Sequence, residues 1–284
     1  MKTGILMEGG AMRGLFTCGV IDVLLENKIE FDGGAGISAG AVFGSNYKSR
    51  QPGRALRYNK KYASDPRYCS LRSLLKTGNL YGVDFCYHEL PDVLDPFDRE
   101  AFAQNPMEFY VGATDLRTGK IVYHKCADGG ARDIEWLQAS ASMPLVSRPV
   151  SIGKYTLLDG GIVEPVPLHF MERIGYDRNV VILTQPKSYI KKKNKAMPML
   201  RVVLRDYPAA VKALDIRHKR YNRLISEIAA QEKAGQLFVI RPPKSLGIRR
   251  TETDPKELER VYRIGRAAAN ERLSELKAFL ETES

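Results

Sequence analysis

The chain is expected to fold as an α/β protein of three layers, with helices on both faces of a mostly parallel central sheet and a helical segment at its C-terminal end. Three observations carry this expectation. The first fifty residues run twice through a short apolar stretch, a glycine turn and a helical pattern, the order of parallel-sheet units. Further short apolar runs recur as far as "QLFVIRPP". No apolar run reaches the roughly 18 residues that a membrane-spanning helix needs.

Taken in order, Gly4-Ile5-Leu6-Met7 is a buried strand stopped by glycines. "RGLFTCGVIDVLLE" (13–26) repeats Leu15, Cys18, Ile21, Val23 and Leu25 near helical spacing. "IEFDGGAGI" (29–37) is a second strand and "SAGAVFGSNYKS" (38–49) a second helix. Residues 50–106 are polar, aromatic and broken by five prolines, which suits short helices and loops, a candidate cap. "EFYVGATDL" and "KIVYH" form a hairpin through Arg117-Thr118-Gly119. "RDIEWLQASAS" is a helix that stops before Pro144. "YTLLDGG" is a strand meeting a glycine turn, and "NVVILTQP" is a buried strand.

Composition shifts after Pro186. Lys191, Lys192, Lys193 and Lys195 form a basic run, and 199–233 is mostly helical. "QLFVIRPP" adds a strand able to rejoin the sheet, and 255–280 is a final helix with Asp254 as N-cap and Pro255 at its first position. These shifts divide the chain into a first unit, 1–187, and a basic, mostly helical region, 188–284, packed on it.

The net charge of +11 suits an anionic partner, a lipid surface, nucleic acid or an acidic ligand, or else a well-solvated surface. No zinc-finger spacing or RNA-binding aromatic motif is present, so no nucleic-acid partner is expected. Cys18, Cys69, Cys86 and Cys126 form no CxxC pair and no metal spacing. With no leader pattern in "MKTGILMEGG", a reducing, cytoplasmic setting is expected.

Three motifs carry chemistry. Gly36-Ile37-Ser38-Ala39-Gly40 fits G-x-S-x-G between a strand and a helix, the setting of a nucleophile elbow. Residues two before and two after the serine must lack bulk, and the helix N-terminus behind it favours developing negative charge. A close-packed strand–helix crossing has the same need for small residues. Gly9-Gly10-Ala11-Met12-Arg13-Gly14 turns from strand to helix and presents backbone N–H groups to an anion. Arg13 sits unfavourably against the helix dipole, which calls for an anionic ligand, a carboxylate or solvent beside it. Asp159-Gly160-Gly161 aims a carboxylate from a strand end with space cleared around it, although Asp-Gly is also an everyday turn.

Together and in this order, the three motifs resemble those of the patatin-like phospholipases: a glycine-rich oxyanion loop after the first strand, a G-x-S-x-G elbow, and a later Asp-Gly-Gly. The flanking "SASMPLVSRPV" and "GGIVEPVPL" are similar too, and the resemblance covers residues 3–185. It implies a patatin-like fold and a lipid acyl hydrolase acting on a lipid or ester substrate. Ser38 would be the nucleophile and Asp159 its base. The oxyanion loop would run from Gly9 to Gly14, with Gly10, Ala11 and Met12 as donors and Arg13 fixing the loop. Gly36, Gly40, Gly160 and Gly161 would shape the elbow and the Asp loop. No metal or organic cofactor is called for. Ala11 stands where the family often has a third glycine, and alanine tolerates positive φ poorly.

Two other readings stay open. A Ser-His-Asp triad would take His169, rather than His88, His124 or His218, as base. A non-catalytic basic protein would use Lys191–195 and "RHKRYNR" (217–223) on a membrane surface, or the first glycine loop with Asp32 on a nucleotide, although Ala11 breaks the dinucleotide pattern. Peripheral contact of the basic region with anionic lipid is compatible with the hydrolase reading.

Overall fold

Two strand–turn–helix units open the chain. β1 (Lys2–Met7) leads through a glycine turn and a 3-10 turn, Ala11–Arg13, into α1 (Gly14–Glu26); β2 (Gly33–Ile37) runs directly into α2 (Ala39–Lys48). The computed structural model describes residues 1–281. β2 begins later than its apolar pattern suggests. Asp32 accepts hydrogen bonds from the Thr3 N–H (2.7 Å) and hydroxyl (2.9 Å), so pairing with β1 starts only at Gly4 opposite Gly33.

Residues 50–106 fold as α3 (Arg54–Tyr62), α4 (Leu71–Thr77), a π-helical segment (Phe85–Leu94) and α5 (Arg99–Gln104). The hairpin β3 (Glu108–Asp115) and β4 (Lys120–Cys126) precedes α6 (Ala131–Ala141). β5 (Val150–Ile152) is too short to register as a hydrophobic pattern; it pairs with β6 (Tyr155–Asp159), which ends in a 3-10 turn, Gly160–Ile162. Then come α7 (Leu168–Arg173), β7 (Tyr176–Ile182), α8 (Met197–Val203), α9 (Pro208–Lys233), β8 (Leu237–Ile240), α10 (Pro255–Glu271) and α11 (Leu273–Glu281). The expected helix over 199–233 breaks before Pro208, which lacks an N–H and excludes the preceding residue from helical geometry. The final helix divides at Arg272, whose guanidinium turns inward to the Val239 carbonyl (2.6 Å).

The sheet runs in the order β5-β6-β3-β2-β1-β7-β8, with β4 on β3. β3, β2, β1, β7 and β8 are parallel; β4 and β6 are antiparallel to β3. Side-chain alternation produces the three layers. Ile5, Met7, Val180 and Ile182 join the core under α1, α2 and α10, whereas Leu6, Val181 and Val239 join the opposite core under α7 and α9. A third cluster seats α8 and the start of α9 on β6 through Leu158, Ile162, Leu200 and Leu214.

The C-terminal region shares this architecture. β8 extends the sheet in parallel with β7, and α10 crosses α1 at backbone contact. A Cβ on Gly19 would lie 2.0 Å from the Tyr262 carbonyl oxygen, and one on Gly265 would lie 2.0 Å from that of Phe16. Beside the crossing, Tyr262 Oη donates to the buried Asp22 carboxylate (2.7 Å). No described helix is long and apolar enough to cross a membrane. The four cysteines carry free thiols.

Candidate active site

The site begins with an arrangement of strands. β4 covers one edge of β3 along Phe109–Asp115, so β2 and β6 must share the other edge. Ile37 of β2 pairs with Gly112, and Asp159 of β6 pairs with the next residue, Ala113. One strand is parallel and the other antiparallel to β3, so their C-terminal ends meet head on. Ser38 and Asp159, 121 positions apart in number, therefore face each other at the junction.

Ser38 caps α2 with φ 55° and ψ −126°, a conformation that costs a non-glycine residue about 1–3 kcal/mol. The elbow glycines are needed for close approach. A Cβ on Gly36 would lie 2.5 Å from Ala41 Cα, and one on Gly40 would lie 2.3 Å from the Met7 carbonyl oxygen. The Ser38 N–H donates to Ser140 Oγ at 2.8 Å, and the residue is 7% exposed, with its hydroxyl facing Asp159.

The glycine loop lies against this elbow. A Cβ on Gly9 would meet Ser38 Cβ at 2.9 Å, and one on Gly10 would meet Thr184 Oγ1 at 2.8 Å. Ala11 adopts φ 48°, so the backbone takes the left-handed turn in spite of the methyl group. Arg13 N–H bonds the Gly10 carbonyl (3.1 Å), and the N–H groups of Ala11 and Met12, at the start of the turn, have no carbonyl behind them. A Cβ on Gly14 would press on the Phe43 ring, so α1 and α2 diverge from close contact here. Glu8 anchors the loop from below: its carboxylate accepts from the Thr184 N–H (2.6 Å) and hydroxyl (3.0 Å) and from Tyr221 Oη (2.8 Å).

Asp159 is buried and accepts the Gly161 N–H at 2.7 Å. Burial pushes its carboxyl above the usual aspartate value; the facing Ser38 hydroxyl, the Arg217 guanidinium and the Gly161 N–H pull it back. A Cβ on Gly160 would lie 2.4 Å from the Gly112 carbonyl oxygen, so the 3-10 turn after Asp159 tolerates only glycine there. Arg217, from α9, donates through Nε to the Gly161 carbonyl. Sequence reading treats Arg217 as part of a basic helix face, and Ser140 as a small residue in a flank. Neither position carries a local signal, because each acts on residues more than fifty positions away.

Two cavities adjoin Ser38, and Ala11 lines both. One is apolar, walled by Val42, Phe43, Tyr58, Tyr87, Leu90 and Phe97, so the 50–106 segment supplies much of its lining. The other holds Asp159 and Glu8 together with Arg13, Lys191, Arg217 and Arg250. No histidine lines either cavity among the described residues. His169 instead pairs with Glu227 on the surface (3.0 Å), away from Ser38, which disfavours the triad reading. Asp32, bonded to Thr3, is committed to the β1 backbone rather than open to a ribose.

One group among the described residues has metal-ligand proximity, His124, Cys126 and Asp133. Its carboxylate is already used. One Asp133 oxygen accepts the N–H groups of Ala127, Asp128 and Gly129, and the other bonds His124 Nε2 at 2.7 Å, so the cluster clamps a loop.

Comparison with known proteins identifies the family. The family model described as Patatin-like phospholipase matches residues 5–171, and one described as Domain of unknown function (DUF6363) matches residues 207–281. The uncharacterized protein YjjU of Escherichia coli is 30% identical over 200 residues, 65% of this chain and 52% of that protein. The uncharacterized NTE family protein Rv1063c of Mycobacterium tuberculosis is 25% identical, over 64% of this chain and 48% of that protein. Lysophospholipase NTE1 of Coccidioides immitis is 26% identical over 62% of this chain but 11% of its own length. The chain thus spans about half the length of the first two relatives, and less of the third.

Proposed function

The chain belongs to the patatin-like phospholipase family, and from that premise we propose that it hydrolyses carboxylic esters of lipids through an acyl-enzyme on Ser38, with Asp159 as general base. The observation that carries this reading is the head-on meeting of β2 and β6, which sets a strained, shielded hydroxyl against a buried carboxylate beside an apolar cavity.

In the reaction, Asp159 accepts the Ser38 proton as Oγ attacks the acyl carbonyl. The N–H groups of Ala11 and Met12, with that of Gly10, stabilise the oxyanion, and Arg13 adds positive charge nearby. Asp159 returns the proton to the leaving alcohol. It then takes a proton from water, whose oxygen attacks the acyl-enzyme; the fatty acid leaves and Ser38 regains its hydrogen. Asp159 is suited to this part because burial raises its basicity while Arg217 keeps it ionisable.

Fluorophosphonate labelling of wild type, Ser38→Ala, Asp159→Asn and His169→Ala tests the assignment. Wild type and His169→Ala should label, Ser38→Ala should not, and Asp159→Asn should label far more slowly. Labelling that survives Ser38→Ala removes the proposal. Loss of labelling in His169→Ala restores the triad.

Peripheral docking on anionic lipid remains part of this reading. Ile190, Met199, Val202 and Val203 stand exposed among Lys192, Lys195 and Arg201, apolar anchors within a cationic surface. Vesicle sedimentation should show binding that rises with phosphatidylserine content and falls with salt. Binding indifferent to both removes this element.

A further inference from the structure

One face of α9 reaches both loops of the site. Arg217 and Tyr221 are four residues apart, so their side chains leave the helix on the same side. Arg217 Nε donates to the Gly161 carbonyl, and the N–H of the same glycine donates to Asp159 at 2.7 Å. The fit is close: a Cβ on Gly161 would lie 3.0 Å from Asp159 Oδ1 and 3.4 Å from an Arg217 guanidinium nitrogen. Tyr221 Oη donates to one oxygen of the buried Glu8 carboxylate at 2.8 Å; the other oxygen accepts the N–H and hydroxyl of Thr184, against which Gly10 rests. One chain of contacts therefore runs from Arg217 through Gly161 to the base, and a second from Tyr221 through Glu8 and Thr184 to the glycine loop.

The helix that carries these two groups is itself firmly seated. Leu214 packs with Leu158 and Ile162 beside β6, and Leu224 and Ile228 pack with Leu6 and Val181 under the sheet. The Tyr221 ring is flanked by the Lys191 ammonium, 4.2 Å from its centre, and by the Tyr189 ring, edge-on at 5.8 Å. Asn222 fixes the Lys191 backbone from both sides, accepting its N–H at 2.8 Å and donating to its carbonyl at 3.0 Å. Arg223 pairs along the helix with Glu227 instead (2.9 Å), so only part of the basic run 217–223 is surface charge.

We propose that Arg217 and Tyr221 are positioning residues, through which α9 holds the base loop and the oxyanion loop in register with each other. The inference rests on Ser38 and Asp159 acting as read above, and it gives the C-terminal region a part in the reaction. Arg217 and Tyr221 lie within the second family match, at 207–281, and Thr184 lies between the two matches. The 5–171 match thus contains the reacting groups without these residues that hold them in place. A displacement of about 1 Å at either loop is enough to slow the chemistry about 100-fold. Because both residues act through the loops, their removal lowers kcat and leaves KM.

The test uses the full chain and a neutral p-nitrophenyl ester, with active sites counted by fluorophosphonate titration. In Tyr221→Phe, kcat per labelled site should fall about ten-fold, with KM and the acid limb of the pH profile unchanged. Arg217→Lys keeps a cation beside Asp159 but loses the planar guanidinium. It should also lose about ten-fold in kcat with the limb unmoved, whereas a purely electrostatic role predicts wild-type kcat. Hydrogen exchange reads the loops directly. Peptides covering 8–14 should exchange about ten-fold faster in Tyr221→Phe, and those covering 159–163 in Arg217→Lys, with β7 unchanged in both. Wild-type kcat per site in either variant, or an exchange pattern unchanged in both, overturns the proposal. A merely structural role lowers the labelled fraction and leaves kcat per site intact, which overturns it equally. If Ser38 fails to label in wild type, the hydrolase reading falls, and the exchange pattern still decides whether α9 grips the two loops.

Discussion

The Ser140 hydroxyl accepts the Ser38 backbone N–H at 2.8 Å and donates to the Gly112 carbonyl at 2.6 Å. One side chain of α6 thus ties the elbow to the β3 residue beside the junction of β2 and β6. Ser140→Ala leaves the buried Ser38 N–H without an acceptor. It should cost about 1–3 kcal/mol in urea unfolding and slow fluorophosphonate labelling at temperatures where the fold is intact. Ser140→Thr should restore the labelling rate, and a variant with wild-type labelling would show that this tie does not position the nucleophile.

Two positive-φ residues, Ser38 (55°) and Ala11 (48°), hold strain at the site. Ser38→Gly should be about 1 kcal/mol more stable than Ser38→Ala, since both lack the hydroxyl and only glycine relieves the backbone. Ala11→Gly should stabilise by a similar ~1 kcal/mol while retaining activity. Urea midpoints check both; equal stability for the two Ser38 variants would contradict the strain.

The Asp159 carboxyl is raised by burial, and the base must be ionised. The kcat/KM for a neutral p-nitrophenyl ester should therefore fall as pH drops through a value above the usual aspartate range. Arg217→Met removes a cation that lowers this value, so its acid limb should move to higher pH. The same shift has a stability consequence. The folded state prefers protonated Asp159, so that contribution is complete below the ordinary aspartate value and is lost as pH rises through the raised one. Asp159→Asn should then be inactive yet more stable than wild type at neutral pH, and a less stable variant would argue against the desolvated carboxylate.

The reciprocal contact of Gly19 with Tyr262 and Gly265 with Phe16 joins the first and last parts of the chain. Gly19→Val should destabilise by about 3 kcal/mol or more, since the obstruction is backbone rather than a movable side chain. Limited proteolysis should then cut the chain before α10, where the wild type resists.

The amino-acid sequence by itself determined what short-range sterics dictate. Gly36 and Gly40 around Ser38, the loop from Gly9 to Gly14, and Gly160 after Asp159 are small because the backbone passes within van der Waals distance there, and such demands are written at fixed spacings along the chain. The alternating strands and helices were legible for the same reason, since periodicity is local. Pairing was not. Only the tertiary structure decided that β2 and β6 end against each other on one edge of β3, that Ser140 holds the elbow, and that Arg217, Lys191 and Arg250 close on the site. In sequence those cations look like any solvated helix or loop charge; what distinguishes them is that distant segments bring them together around Glu8 and Asp159, a property of space rather than of the chain.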